Sequence, residues 1–128
     1  MSYDILNLIK EVLQMIYEMK LQPEYYNFML NGTKRIEIRL NDEKRKNIKI
    51  GDKIKFYKEP KLEESFLTEV VEVFRFHSFQ EMVDNFKIEE LADKEFIKEE
   101  LINTLEKYYS KDKQKEYGVL GIRIKLLE

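Results

Sequence analysis

The hydrophobic period of this chain switches back and forth between two and three-to-four, which restricts it to folds that mix strands with helices. Met15, Tyr17, Met19 and Leu21 alternate with Ile16, Glu18, Lys20 and Gln22, the period of a half-buried strand. Pro23 stops that strand and opens a helix to Leu30, because proline suits the first helical turn. Asn31-Gly32 ends the helix with a residue free to take positive φ. From Lys34 to Leu40 the period is two again, with Ile36, Ile38 and Leu40 on one face and Arg35, Glu37 and Arg39 on the other. A charged connection over Asn41 to Asn47 leads into Ile48 to Phe56, a turn on Gly51-Asp52 followed by a third strand. Past a loop at Pro60, Phe66 to His77 reads as a long strand dense in Val and Phe, and Gly118 to Leu126 as the last strand.

The helical stretches surround these strands. Ile5, Leu8, Ile9 and Val12 fall at i, i+3, i+4 and i+7, so Ser2 to Leu13 reads as an amphipathic helix with Ser2 or Asp4 as its cap. Ser78 and Glu81 form a capping box for a helix over Phe79 to Phe86. Ile88 to Tyr109 is helix-prone, with Leu91, Phe96, Leu101, Ile102 and Leu105 as apolar points, and Ser110 to Glu116 is polar. Strands at both ends and helices between them give an α+β chain, a small curved sheet or partial barrel with helices over its openings. At 128 residues one domain is expected, and 43% apolar with 12% aromatic residues is too much for a disordered chain despite 38% charged.

The residue inventory excludes several chemistries. No cysteine is present, so disulfides, thiolate metal sites and cysteine nucleophiles are absent, and a single His excludes a multi-histidine site. No apolar run approaches the ~20 residues of a membrane span, and the N-terminus lacks the pattern of a secretion signal. A soluble cytoplasmic domain without cofactor or metal, monomeric or weakly dimeric, is the expectation. Net charge is −2, yet residues 20–61 hold 12 Lys/Arg against 6 Asp/Glu (+6), residues 62–128 hold 10 against 16 (−6), and the first 19 carry −2. A basic segment inside an acidic chain can focus potential onto one groove; a solvated basic face balanced by an acidic one is the plain alternative.

One segment carries a more specific signal. Asn31-Gly32-Thr33-Lys34-Arg35-Ile36-Glu37-Ile38-Arg39 has the pattern Gly-x-Lys-x-x-Glu-x-Arg at Gly32, Lys34, Glu37 and Arg39. Met19 to Pro23 precedes it, Leu40 to Arg45 and the Ile50-Gly51-Asp52 turn follow it, and Tyr108-Tyr109-Ser110 and Tyr117 to Ile122 stand near the end. In that order these segments resemble the ASCH domain (activating-signal-cointegrator homology), a branch of the PUA-like superfamily. The resemblance leaves residues 1–14 as an N-terminal extension and makes 15–128 the domain. It implies a PUA-like pseudo-barrel of mostly antiparallel strands, flanked by helices that bound a cleft for RNA or nucleotide-like ligands. Some small bacterial members are amidohydrolases that cleave N4-acetylcytidine.

Each candidate has a chemical reason. Gly32 lets backbone approach a ligand closely, Lys34 supplies a compact positive charge, and Arg39 offers a fork for phosphate or carboxylate. Glu37 can accept hydrogen bonds from an amine or ribose hydroxyl, or act as a base. Together they suit one flipped or single-stranded base; an exposed charged ladder is the alternative. In the amidohydrolases a threonine nucleophile stands where this chain has Glu37, which cannot repeat alkoxide chemistry. Were the chain enzymatic, Lys34 and Glu37 would be the catalytic candidates, with Glu81, Glu89 or Glu90 as the later glutamate. Tyr108 and Tyr109 can stack on bases or lid the core, and Lys44, Arg45, Lys46 and Lys49 can hold a phosphate backbone or remain a solvated loop. His77 reads as structural or partly exposed. A protein partner on the acidic C-terminal half is a further reading, as the cointegrator relationship suggests.

Overall fold

A computed structural model describes residues 5, 6, 8 and 15–127; the amphipathic helix expected over residues 2–13 lies, but for those three positions, outside the described residues. Five strands and five helices are present among the described residues. In chain order they are β1 (Ile16–Leu21), α1 (Pro23–Asn31), β2 (Ile36–Leu40), β3 (Lys53–Lys58), β4 (Ser65–Phe76), α2 (Phe79–Val83), α3 (Ile88–Leu91), α4 (Lys98–Tyr108), α5 (Lys111–Tyr117) and β5 (Val119–Leu126).

The strands form one curled sheet in the order β1-β3-β4-β5-β2, a half-barrel of the PUA-like kind with helices packed on it. Only β1 and β3 are parallel; the other three pairings are antiparallel. The long β4 pairs with β3 through Ser65–Glu69 and with β5 through Thr68–Phe76, and its register with β5 shifts between Val70 and Glu72. Such a shift bends a strand and raises its twist, which curls the sheet until its outer strands approach each other. β1 and β2, at opposite ends of the sheet, thereby come close enough for the Arg39 Nη2 of β2 to donate to the Lys20 carbonyl of β1 at 2.7 Å.

Two apolar clusters hold this shape. Inside the curl, Met19 and Leu21 of β1, Tyr26 and Met29 of α1, Phe56 of β3 and Leu120 and Ile122 of β5 pack together. On the other side, Ile36, Ile38 and Leu40 of β2 pack with Phe79 and Met82 of α2, Leu91 of α3 and Leu101 of α4. Burying a Leu, Ile, Phe or Met side chain contributes roughly 1.5–3 kcal/mol, so these clusters are the main stabilising term.

The helices depart from expectation at three places. The helix-prone run is interrupted: α3 ends at Leu91, Asp93 turns the chain with its carboxylate 3.3 Å from the Glu95 amide, and α4 begins at Lys98. The polar stretch after Ser110 is helix α5, whose Ser110 hydroxyl accepts from the Lys113 amide at 3.2 Å. At α2 the Ser78 hydroxyl accepts from Glu81 N as expected, but the Glu81 carboxylate reaches His77 N rather than Ser78 N. Gly118 takes φ 78 and turns α5 into β5.

Candidate functional site

Lys34 precedes β2 and points inward, 2% exposed. Its ammonium donates to the Ile36 carbonyl at 2.6 Å and the Leu91 carbonyl at 2.8 Å, and lies 3.2 Å from Glu37 Oε1. An ammonium has three N–H groups, so all are engaged. The neighbours of Lys34 dock in the same way: the Thr33 hydroxyl donates to Glu89 O and Arg35 N to Glu90 O. Helix ends leave carbonyls without partners, and the three at the end of α3 are taken by three consecutive residues leading into β2.

Glu37 lies between two cations. Its Oε1 meets Lys34, and its Oε2 accepts from Arg39 Nε at 2.7 Å. Burial pushes the Glu37 carboxyl up, but Arg39 and Lys34 outweigh burial and hold it below the usual carboxylate range. Burial pushes the Lys34 ammonium down, against the pull of Glu37. Arg39 is raised despite burial, because the Glu37 carboxylate beside it, and to a lesser degree Tyr109, favour its charged form. The triad carries two positive charges and one negative, a net +1 in a largely buried setting. The alternating face of β2 is therefore no solvated ladder. Glu37 is 5% exposed because helices cover this edge of the sheet.

Above the triad opens a cleft of about 330 Å³ lined by Lys20 and Gln22 at the end of β1, by Tyr25, Lys34, Glu37 and Arg39, by Glu59, and by Leu101, Thr104, Leu105, Tyr108 and Tyr109 at α4. Tyr25 comes from α1, where Tyr26 and Met29 face the core and Tyr25 and Phe28 the neighbouring side. Tyr25, Phe28 and Phe96 pack with ring centroids 5.7 to 6.1 Å apart, and the Lys34 ammonium lies 5.9 Å from the Tyr25 ring centroid. Burial, with Glu24 and Glu37 nearby, pushes the Tyr25 phenol up to about 12, so its hydroxyl stays neutral. Tyr109 leans on Phe79 at 6.0 Å, while Tyr108 is 63% exposed at the mouth.

Of the residues singled out in the sequence, Lys34, Glu37, Arg39, Tyr108 and Tyr109 thus meet in one cleft. Gly32 is outside its lining. At φ −113 it is not in the left-handed region; glycine is needed there because a Cβ would sit 2.8 Å from the Phe28 carbonyl. Lys44, Arg45, Lys46 and Lys49 also lie away from the cleft, and three of them face carboxylates of their own loop: Arg45 with Asp42, Lys46 with Glu43 and Lys49 with Asp52. His77 is exposed and borders a larger groove of about 630 Å³ between α2, α4 and α5, with Gln80, Glu106, Lys111 and Glu116. Tyr117 is the one tyrosine in that groove, against Tyr25, Tyr108 and Tyr109 at the cleft, and no buried charged triad underlies it, so its size does not make it the better site. Tyr25, Glu59 and Lys20 escaped sequence reading; the place of Tyr25 in the first turn of the helix opened by Pro23 was the available signal. Among the described residues no group of three or more His, Asp or Glu could hold a metal ion, and no helix is long and apolar enough to cross a membrane.

A model of the ASCH domain matches residues 19–128. Among solved structures, the crystal structure of hypothetical protein PH0355 is 34% identical with a TM-score of 0.78, covering 88% of this chain and 100% of that one. The solution NMR structure of protein PF0455 from Pyrococcus furiosus is 35% identical with a TM-score of 0.70, covering 89% of this chain and 99% of that one. Comparison with curated proteins gave no match.

Proposed function

The chain belongs to the ASCH domain family, and from that premise we propose that it binds RNA by taking one unstacked base into the cleft above Lys34, Glu37 and Arg39. The observation that carries this reading is the union of aromatic rings with a fixed guanidinium. Tyr25, Tyr108 and Tyr109 border the opening in which Arg39 is held from two strands. Sequence-selective RNA recognition uses splayed bases that stack on aromatic rings and hydrogen-bond along their edges. Phosphates flanking the base meet Lys20 at the mouth.

A binding role fits the triad better than an amidohydrolase role. Every N–H of Lys34 is occupied, and Glu37 is an anion clamped between cations and so a weak base. The Thr104 hydroxyl in the lining donates its proton to Glu100 O at 2.9 Å, within its own helix. Nothing of this kind favours the acidic second half as a protein-docking face.

The test is fluorescence anisotropy of labelled single-stranded and hairpin RNAs at low and physiological salt. Tyr108 is exposed, so Tyr108→Ala leaves folding intact while removing a stacking surface that contributes roughly 1–3 kcal/mol per base. We expect salt-dependent binding that weakens fivefold or more in Tyr108→Ala and is unchanged in Tyr117→Ala, which lies outside the cleft. Equal affinity of both variants with wild type would move RNA elsewhere on the surface.

A further inference from the structure

We infer that the cleft selects a base by an edge with two adjacent hydrogen-bond acceptors, O6/N7 of a guanine-type or O2/N3 of a cytosine-type ring, read by the Arg39 guanidinium. This deepens the base-binding reading and rests on it. Most donors and acceptors in the lining are already engaged. Lys34 has none to give, with its three N–H groups on Ile36 O, Leu91 O and Glu37. Gln22 Nε2 and Glu59 Oε2 bond to each other at 3.0 Å, and the Thr104 hydroxyl is turned to its own helix. Glu37 has a cation on each oxygen.

Arg39 is different. A guanidinium has five N–H groups. One, on Nε, goes to Glu37 and one, on Nη2, to Lys20 O, so five less two leaves three donors for a ligand, both of Nη1 among them. Partners on two strands fix the plane of the group, and the triad's net +1 favours an electron-rich edge. A guanidinium fork pairs best with two acceptors side by side, as in its recognition of guanine O6/N7. Uracil places an N–H between its two carbonyls, and adenine sets an amine beside N7 and N1. Each would oppose a donor to a donor.

The experiment is a ¹H–¹⁵N NMR titration of the whole chain with GMP, CMP, AMP and UMP, following the Arg39 side-chain resonances. A matched pair is worth about fivefold or more over a mismatched base. The expected result is that GMP, CMP or both bind at least about fivefold tighter than AMP and UMP and shift Arg39 Nε or Nη signals; which of the two leads identifies the ring. Arg39→Lys keeps the charge without the fork and should bring all four within about twofold. Should that variant fold poorly, 7-deaza-GMP and 3-deaza-CMP, each missing one acceptor, test the same point on wild-type protein and should bind more weakly than their parents. AMP or UMP binding as tightly as GMP and CMP, or deaza analogues matching their parents, would overturn the selectivity while leaving base binding intact. No response to any nucleotide or RNA would instead overturn the base-binding reading and this inference with it.

Discussion

At the scale of single residues, the buried triad decides what each member can do. Glu37 is the only anion among Lys34, Glu37 and Arg39, so its removal leaves two buried cations facing each other. Glu37→Gln should cost about 3–5 kcal/mol, the range for breaking a buried pair from one side. Lys34→Met leaves a balanced Glu37–Arg39 pair but orphans the Ile36 and Leu91 carbonyls, at about 1–3 kcal/mol each. Urea denaturation of both variants checks these losses, and a loss below about 1 kcal/mol in Glu37→Gln would contradict the buried pairing. The same pairing sets an acid response. Because the folded Glu37 pKa lies below its ordinary value of 4.5, the stability it contributes is fully present above that value. That stability is lost as pH falls through the depressed folded pKa, and the corresponding acid slope should be shallower in Glu37→Gln. Period-two alternation placed Glu37 and Arg39 on one face but could not tell a solvated face from one covered by helices. Only the position of α3 and α4, built from residues about fifty or more positions away, makes that distinction.

At the scale of elements, local polar bonds decide where helices and turns begin and stop. Asp52 is fully buried and accepts from Met15 N at 3.2 Å, from Lys49 N at 3.0 Å and from the Lys49 ammonium at 3.0 Å. It thus ties the start of β1 to the turn before β3. Asp52→Ala strands both amides, and we expect a loss of about 2–3 kcal/mol by urea denaturation. Amide exchange should speed at Lys53, whose N–H bonds to Met15 O, before it speeds at the interior strand β5. Uniform acceleration would show that Asp52 acts on global stability alone. The turn at Gly51-Asp52 was legible because glycine beside aspartate is strong turn chemistry. Helix α5 was not, since Lys111–Tyr117 buries only Gln114 and so has no apolar period; Ser110 as its cap was the one available sign. The break after Leu91 was hidden too, because no glycine or proline marks it. That break frees the Leu91 carbonyl for Lys34.

At the scale of the molecule, the curl of a five-stranded sheet brings its outer strands together and makes the cleft. The strand segments were readable because each has an apolar face in one of two cores, and the family motif led to Lys34, Glu37 and Arg39. The cleft's third wall, with Tyr25, was not readable: in Tyr25-Tyr26 nothing local says which ring faces the core and which the opening. Nor does the count of basic residues locate a binding face, since Arg45, Lys46 and Lys58 face carboxylates at 2.8, 2.8 and 3.4 Å. The central claim is that a base enters this cleft. Photocrosslinking of a short RNA carrying a photoreactive base, with the modified peptides identified by mass spectrometry, tests it most directly. Crosslinks should fall on the segments holding Tyr25 and Tyr108-Tyr109, and excess unlabelled RNA should suppress them. Crosslinks confined to residues 41–49 or to the groove beside His77 would contradict the account.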